Sequence, residues 1–426
     1  MPVALIGTFD TKGTEFQYVC NVLHGLGVAT IAIDAGVDKP VGIIPDVASD
    51  LLYAAADENF AQIREARDRG QAVEAAARGA ANLAAGLYRE GRLEGVLGLG
   101  GSAGTTIATA AMRALPFGVP KLMVSTLASG QVRPYVGVRD ILMLHSVVDI
   151  CGLNRISRTV LDNAARAMAG MVVARPAEGV VTQASGLPDS GATAATRSAA
   201  QQPLIAATMF GVTTPCVDAA RRALEASGSE VVVFHATGTG GMTMESFISD
   251  GLVNGVLDIT TTELADELVG GILSAGPDRL TAAGKRGVPQ VISVGALDMV
   301  NFGPRETVPE RFANRRFYQH NANVTLMRTT PEENAQLGRE IARKAAGAAG
   351  PTAILLPLRG VSGIDKAGEP FWWPEADAAL FDGIRRHLPA QVRLVELDLH
   401  INDPEFAISA AQSLRELMGR RSPGGA

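Results

Sequence analysis

Gly98-Leu-Gly-Gly-Ser-Ala-Gly-Thr-Thr106 is the stretch whose reading decides the fold. The apolar run Gly95-Val-Leu-Gly98 leads into it, and Thr106-Ile-Ala-Thr-Ala-Ala-Met-Arg-Ala-Leu115 leads out with the composition of a helix. Strand, glycine turn and helix N-terminus in that order make a preformed anion site. Main-chain N–H groups point outward there, and the helix dipole favours negative charge. Glycine permits φ > 0 and keeps a Cβ out of the path of an approaching phosphate. Ser102, Thr105 and Thr106 add hydroxyl donors at the start of the helix. The stretch reads as a phosphate cradle built from Gly100, Gly101, Ser102, Ala103, Gly104 and Thr105. The competing reading is a tight strand-to-helix turn with no ligand, because a lone glycine-rich turn is a weak signal.

Working outward, Pro2-Val-Ala-Leu-Ile6 has the apolar character of a strand buried on both faces of a parallel sheet. A polar turn bracketed by Gly7 and Gly13 follows, and then a helix with Phe16, Val19, Cys20 and Leu23 on one face. Val28-Ala-Thr-Ile-Ala-Ile33 is the second strand, closed by Asp34-Ala-Gly36. This is a βαβ unit with parallel strands. Residues 54–91, rich in Ala, Glu and Arg, predict one or two long helices. Further apolar runs at residues 119–125 and 141–149 continue the sheet, and a helix over 155–174 closes the domain.

From residue 204 the pattern starts again. Leu204-Ile-Ala-Ala-Thr-Met-Phe-Gly echoes the opening strand and turn, with Thr214 as N-cap and Pro215 at N1 of the next helix. Asn254-Gly-Val-Leu-Asp-Ile echoes Glu94-Gly-Val-Leu-Gly-Leu, and Gly287-Val-Pro-Gln-Val echoes Gly118-Val-Pro-Lys-Leu. Three matches in one order suggest duplication of a doubly wound half; convergence on one strand-turn-helix grammar is the alternative. The expectation is an α/β chain of two Rossmann-like, doubly wound subdomains with mostly parallel sheets. Their bounds are 1–178 and 204–426, with a Ser-, Thr-, Ala- and Gln-rich linker over 179–203.

The totals agree with that plan. At 426 residues two domains are the natural prior, and 47% hydrophobic against 19% charged residues supplies well-buried cores. A net charge of −6 disfavours a nucleic-acid or anionic-membrane surface. Cys20, Cys151 and Cys216 are widely spaced with no C-x-x-C pair, so neither a disulfide framework nor a zinc site is expected. With no leader-like start and no long apolar stretch, the expectation is a soluble, cytoplasmic protein.

In open α/β sheets ligands sit beyond the carboxyl ends of the strands, where strand order reverses. Three turns fall at such ends in the first half. Asp34 stands where a carboxylate commonly accepts ribose hydroxyls. Thr8, Phe9, Asp10, Thr11 and Lys12 supply donors and a cation near a phosphate chain, with Asp10 a candidate for Mg2+ through water. The bland readings are a turn-former for Asp34 and a solvated turn for Asp10 and Lys12. Neither stretch fits a Walker A element or the G-x-G-x-x-G fingerprint. In the second half, Val231-Val-Val-Phe-His-Ala-Thr-Gly-Thr-Gly-Gly-Met-Thr-Met-Glu245 offers His235 and Glu245 as candidate catalytic bases. A satisfied core histidine is the alternative for His235.

Gly7-Thr-Phe-Asp-Thr-Lys-Gly, Gly100-Gly-Ser-Ala-Gly-Thr, His235-Ala-Thr-Gly-Thr-Gly-Gly and Asp258-Ile-Thr-Thr-Thr-Glu-Leu264 carry a family resemblance. With these motifs the chain resembles a family of uncharacterised bacterial proteins related to the ATP-binding N-terminal domain of the tomato mosaic virus resistance protein. The resemblance implies two Rossmann-like subdomains, ATP bound by the first, and a homodimer or higher homo-oligomer. Phosphoryl transfer or hydrolysis is the reaction class to test. Two other functions compete with nucleotide binding. One is an enzyme on a small phosphorylated or carboxylated metabolite in a cleft between the domains, and the other is a non-catalytic interaction module stabilised by nucleotide.

Overall fold

A computed structural model describes residues 1–173 and 202–419. The chain divides into two compact units, Met1–Ser198 and Ala199–Ala426. Nearly all of the expected linker therefore lies outside the described residues.

The first unit runs β1 (Val3–Gly7), α1 (Phe9–Gly25), β2 (Thr30–Asp34), α2 (Ser49–Ala54), α3 (Phe60–Ala66) and α4 (Arg69–Arg89). It continues β3 (Gly95–Gly100), α5 (Ser102–Arg113), β4 (Lys121–Ser125), α6 (Arg133–Val136), β5 (Leu142–His145) and α7 (Arg155–Val173). The sheet has the order β2-β1-β3-β4-β5, and every pair in it is parallel. Helices cover both faces, which is why the strands read as unbroken apolar runs. On one face Leu5, Leu97 and Leu99 pack with Phe16, Leu23, Leu161 and Met168 from α1 and α7. On the other, Ala4, Ile6 and Val96 meet Ala76, Ala80, Ile107 and Met112 from α4 and α5.

The helical stretch expected over 54–91 is cut into pieces by its own caps. Asn59 Oδ1 accepts the amides of Ala61 and Gln62 to start α3, and Asp68 Oδ1 accepts that of Gln71 to start α4. Arg67, between them, is left-handed at φ 51° and breaks the run.

The second unit opens with β6 (Leu204–Met209), α8 (Thr214–Ala226), β7 (Glu230–His235), α9 (Thr239–Ser249), β8 (Gly255–Thr260), α10 (Glu263–Val269) and α11 (Ala282–Arg286). Next come β9 (Gln290–Gly295), β10 (Met299–Phe302), β11 (Phe317–Asn321), β12 (Val324–Arg328), α12 (Pro331–Ala346), β13 (Thr352–Pro357), α13 (Pro374–His387), β14 (Arg393–Leu397) and α14 (Pro404–Gly419). Its main sheet is parallel, in the order β7-β6-β8-β9-β13-β14. That repeats β2-β1-β3-β4-β5 and adds one strand at the far edge. The segments that echo one another in sequence occupy equivalent strands: β1 with β6, β3 with β8, β4 with β9. Strands β10, β12 and β11 form a small antiparallel sheet that the strand pattern did not announce. Thr213, not Thr214, is the N-cap of α8, so Pro215 falls one position later than expected.

Candidate functional site

In the first unit β1 lies between β2 and β3, so the chain reverses its direction of travel across the sheet at β1. The carboxyl edge there is the place where a doubly wound sheet opens a crevice. Gly7 is in register with Asp34 on one side and Ile6 with Gly98 on the other. The end of β2, the β1–α1 turn and the β3–α5 turn therefore lie side by side.

Helix α5 begins at Ser102, four residues before the expected start, with Gly101 as an extended N-cap at φ −84°. The glycines serve close packing, not a left-handed turn. A Cβ on Gly100 would stand 2.8 Å from Gly104 Cα, and one on Gly104 would stand 2.9 Å from the Leu99 carbonyl. Gly101 differs: the nearest heavy atom to its Cβ position is Thr126 Oγ1 at 3.6 Å, so the space before it is open. Ser102 is exposed and Ala103 half-buried. The amides of Ser102, Ala103 and Gly104, being in the first turn, have no acceptor within the helix. The Thr105 hydroxyl, expected as a donor at the cradle, is buried against Ser125 Oγ at 2.7 Å. Thr106 likewise donates back to the Ser102 carbonyl at 2.9 Å.

The expected turn over 7–13 is the first turn of α1, with Thr8 as N-cap. Gly13 makes this possible, because a Cβ there would come within 2.0 Å of the Val41 carbonyl. Thr8 and Thr11 join hydroxyls at 2.9 Å. Phe9 faces inward against Phe16, centroids 4.9 Å apart, so only its main chain belongs to the edge. Lys12 Nζ donates to the Ile150 carbonyl at 2.5 Å, holding the loop after β5. Asp10 Oδ2 accepts the amides of Val37 and Asp38, both at 3.1 Å, while Oδ1 is buried without a partner. No group of three or more His, Cys, Asp or Glu among the described residues is placed to hold a metal ion. Asp34 is also committed elsewhere. Its Oδ1 accepts the amides of Phe9 (3.0 Å) and Gly36 (2.9 Å), and its Oδ2 accepts the Ser49 hydroxyl (2.9 Å). Burial pushes this carboxyl above the usual range despite those bonds. Asp34 is buried, and both its oxygens hold the fold.

The glycine turn of the second unit is closed by its own side chain. Glu263 Oε1 accepts the amides of Gly238 at 2.7 Å and Gly241 at 3.0 Å, filling the N-terminal nest of α9 with a carboxylate. Its Oε2 takes Arg279 Nε at 2.6 Å. Arg279 is fully buried and also forks onto Asp258 at 2.5 and 2.7 Å. Burial alone would lower the guanidinium pKa, but Asp258, Glu263 and Glu245 hold it charged, well above its ordinary value. Glu245 is not a free base: its carboxylate accepts the amides of Leu280, Thr281 and Ala282 and so caps α11. His235 is exposed at the end of β7, its ring 5.5 Å from that of Phe210. The two proposed bases therefore have different surroundings, one occupied and one open to solvent. Sequence reasoning missed Arg279. The carboxylate pair of Asp258 and Glu263, five residues apart in an otherwise apolar and threonine-rich run, was the available signal that a buried cation must answer them.

Comparison with known proteins adds kinship without chemistry. The N-terminal domain of the uncharacterised protein family UPF0261 matches residues 1–177, and the C-terminal domain of the same family matches residues 202–418. A UPF0261 protein of Clostridium tetani is 47% identical over 417 residues, 98% of each chain. The ToMV resistance protein Tm-1 of Solanum lycopersicum is 44% identical over 330 residues, which cover 77% of this chain and 42% of that protein. Among solved structures, the glycosyltransferase SnogD from Streptomyces nogalater aligns over 98% of this chain and 95% of its own at 12% identity. Its TM-score of 0.18 carries no argument. Among the described residues, no helix is long and apolar enough to cross a membrane.

Proposed function

The chain belongs to the uncharacterised protein family UPF0261, and from that premise we propose that its first unit binds a nucleotide, ATP above all, by the phosphates. The observation that carries this reading is the contrast between two glycine-rich strand-to-helix turns, β3–α5 in the first unit and β7–α9 in the second. In the second unit an internal carboxylate fills the nest, showing what an anion gains from such amides. In the first unit the turn at Gly101–Ser102 lies at the sheet's reversal point, with open space where a Cβ would stand. A helix of twelve residues starts there, and the first amides of such a helix, with its dipole, draw an anion. ATP is the nucleotide that the family resemblance implies.

Binding is the core of the reading, and no catalytic base is assigned. Glu245 is engaged with α11, and Lys12 with the Ile150 carbonyl. A cytoplasmic homodimer belongs to the same reading; three free cysteines fit a reducing compartment, and light scattering with and without nucleotide checks the assembly. The direct test is thermal unfolding with ATP, ADP, NAD and sugar phosphates. A ligand at 100 times its Kd adds about 2.7 kcal/mol to the stability of the unit that holds it. Stabilisation by ATP supports the reading; no shift with any adenine nucleotide removes it. A shift with sugar phosphates alone would favour a small phosphorylated metabolite instead.

A further inference from the structure

Beyond the carboxyl end of β2, the first unit has a concave site of about 370 Å3. Val37, Pro40 and Phe60 give it apolar walls, and Asp38, Asp50 and Arg64 stand at its rim. Phe60 is half-buried, and its ring is backed by Tyr53 with centroids 5.3 Å apart and planes 31° apart. One aromatic face is thus fixed from behind. The rim pair Arg64 and Asp38 is loose, 3.8 Å apart with both side chains more than half exposed.

The position of this site relative to the cradle is set by the sheet. Strands β2 and β3 flank β1, so two inter-strand spacings, about 10 Å, separate their carboxyl ends. That is the scale of a nucleoside diphosphate from its base to its terminal phosphate. Thr8, the N-cap of α1, lies between them. The volume falls at the small end for ligand sites and suits a base with its ribose, not a whole nucleotide. Asp34 is buried with both oxygens engaged, whereas Asp38 and Asp50 are exposed acceptors.

We propose that this site receives the heteroaromatic base of the nucleotide, stacked on Phe60, with the ribose hydroxyls directed to the carboxylates of the rim. The inference rests on the nucleotide reading of the cradle and names the part of the ligand that the cradle does not touch. It makes Phe60 a specificity-determining residue: it separates ligands with a base from bare polyphosphate.

The experiment is calorimetric titration of the full chain with ATP and, separately, with inorganic tripolyphosphate. Wild type is expected to bind ATP more tightly than tripolyphosphate. Phe60→Leu keeps an apolar side chain against Tyr53 but loses the flat ring. It is expected to weaken ATP about five- to tenfold, the scale of one lost stacking contact, and to leave tripolyphosphate unchanged. Phe60→Trp restores the plane and is expected to recover ATP, which guards against misreading a folding defect. Equal ATP affinity in wild type and Phe60→Leu, with matching melting temperatures, overturns the base site while the cradle stands. If wild type takes up neither ligand, the cradle reading fails and the base site falls with it. Loss of ATP in Phe60→Leu together with undiminished binding in Gly101→Val would keep the base site and move the phosphates elsewhere.

Discussion

Asp34 Oδ1 accepts the Phe9 amide at 3.0 Å, joining the end of β2 to the first turn of α1. The same carboxylate takes the Gly36 amide and the Ser49 hydroxyl, so one buried group orders three chain segments along the carboxyl edge. Asp34→Ala leaves those donors without their buried acceptor. The expected loss is on the order of 3 kcal/mol, combining a lost cap and unsatisfied buried amides. Asp34→Asn keeps an acceptor for the amides and turns its NH2 towards Ser49, so it should lose less than about 1 kcal/mol. Urea unfolding of both variants checks the contrast. Equal losses would mean that charge, not acceptor geometry, matters at this position.

Gly101 gives the sharper functional prediction. Its φ of −84° suits any residue, and only Thr126 Oγ1 lies within 4 Å of a Cβ placed there. Gly101→Val should therefore fold, with about 1 kcal/mol lost from a poorer N-cap. Its methyls would stand in front of the first-turn amides of α5. Stabilisation by ATP should disappear from the variant while the ligand-free melting temperature changes by a few degrees. A variant stabilised by ATP as strongly as wild type would place the phosphates elsewhere.

The sheet was legible in the sequence because parallel strands buried on both faces leave unbroken apolar runs between turn residues. Val3–Gly7, Gly95–Gly100 and Lys121–Ser125 all fall where those runs predicted. The echoes in the second half placed β6, β8 and β9 by the same logic. Where the reading went astray, tertiary partners decided. Thr8 to Gly13 looks like a turn until Asp34 caps it from 25 residues away. Glu245 looks like a base until three amides of a later segment close on it. Lys12 stands at the strand end that the pattern gives it, but its bond to the Ile150 carbonyl, 138 residues on, is invisible to that pattern. Local pattern shows which residue types stand at a strand end; it does not show which of them the rest of the chain has already engaged.

The second unit's ion cluster predicts an asymmetry between its members. Glu263 and Asp258 answer one guanidinium, and Arg279 has no exposure to water. Removing the cation by Arg279→Met leaves Asp258 and Glu263 buried without a counter-charge, with Glu245 beside them. The expected loss is about 3–5 kcal/mol, enough to deplete the folded second unit. Glu263→Gln is milder, since an amide oxygen still accepts from Gly238 and Gly241 and Arg279 keeps Asp258. Circular dichroism and soluble yield of the two variants distinguish them. Similar losses would imply that the nest, rather than the guanidinium, sets the stability of this cluster.

Acid carboxyls elsewhere in the second unit give its stability a pH dependence with a definite sign. Burial pushes Asp266 up to about 7, against the bonds from Asn301 and Leu273 that favour its charged form. Asp298 and Asp377 are raised too, first by burial and then by repulsion from Asp365, with Arg328 opposing. Three carboxylates thus surround the single guanidinium of Arg328, which lies 2.6 Å from Asp377 and 3.5 Å from Asp365. Between the unfolded carboxyl value near 4 and the folded values near neutrality, the native state binds more protons than the unfolded one. Stability therefore falls as pH rises through that window and levels off above it. The second unit should be more stable at pH 5 than at pH 8, by on the order of a few kcal/mol. Hydrogen exchange of β9 and β13 at the two values reads this out. Asp298→Asn removes one of the titrating groups while preserving an acceptor for the Ser362 hydroxyl, now 2.8 Å from Oδ2. Its pH slope should be shallower than that of wild type. An unchanged slope would assign the protons to Asp266 and Asp377 and leave Asp298 ionised in the folded state across the range, as it is in the unfolded chain.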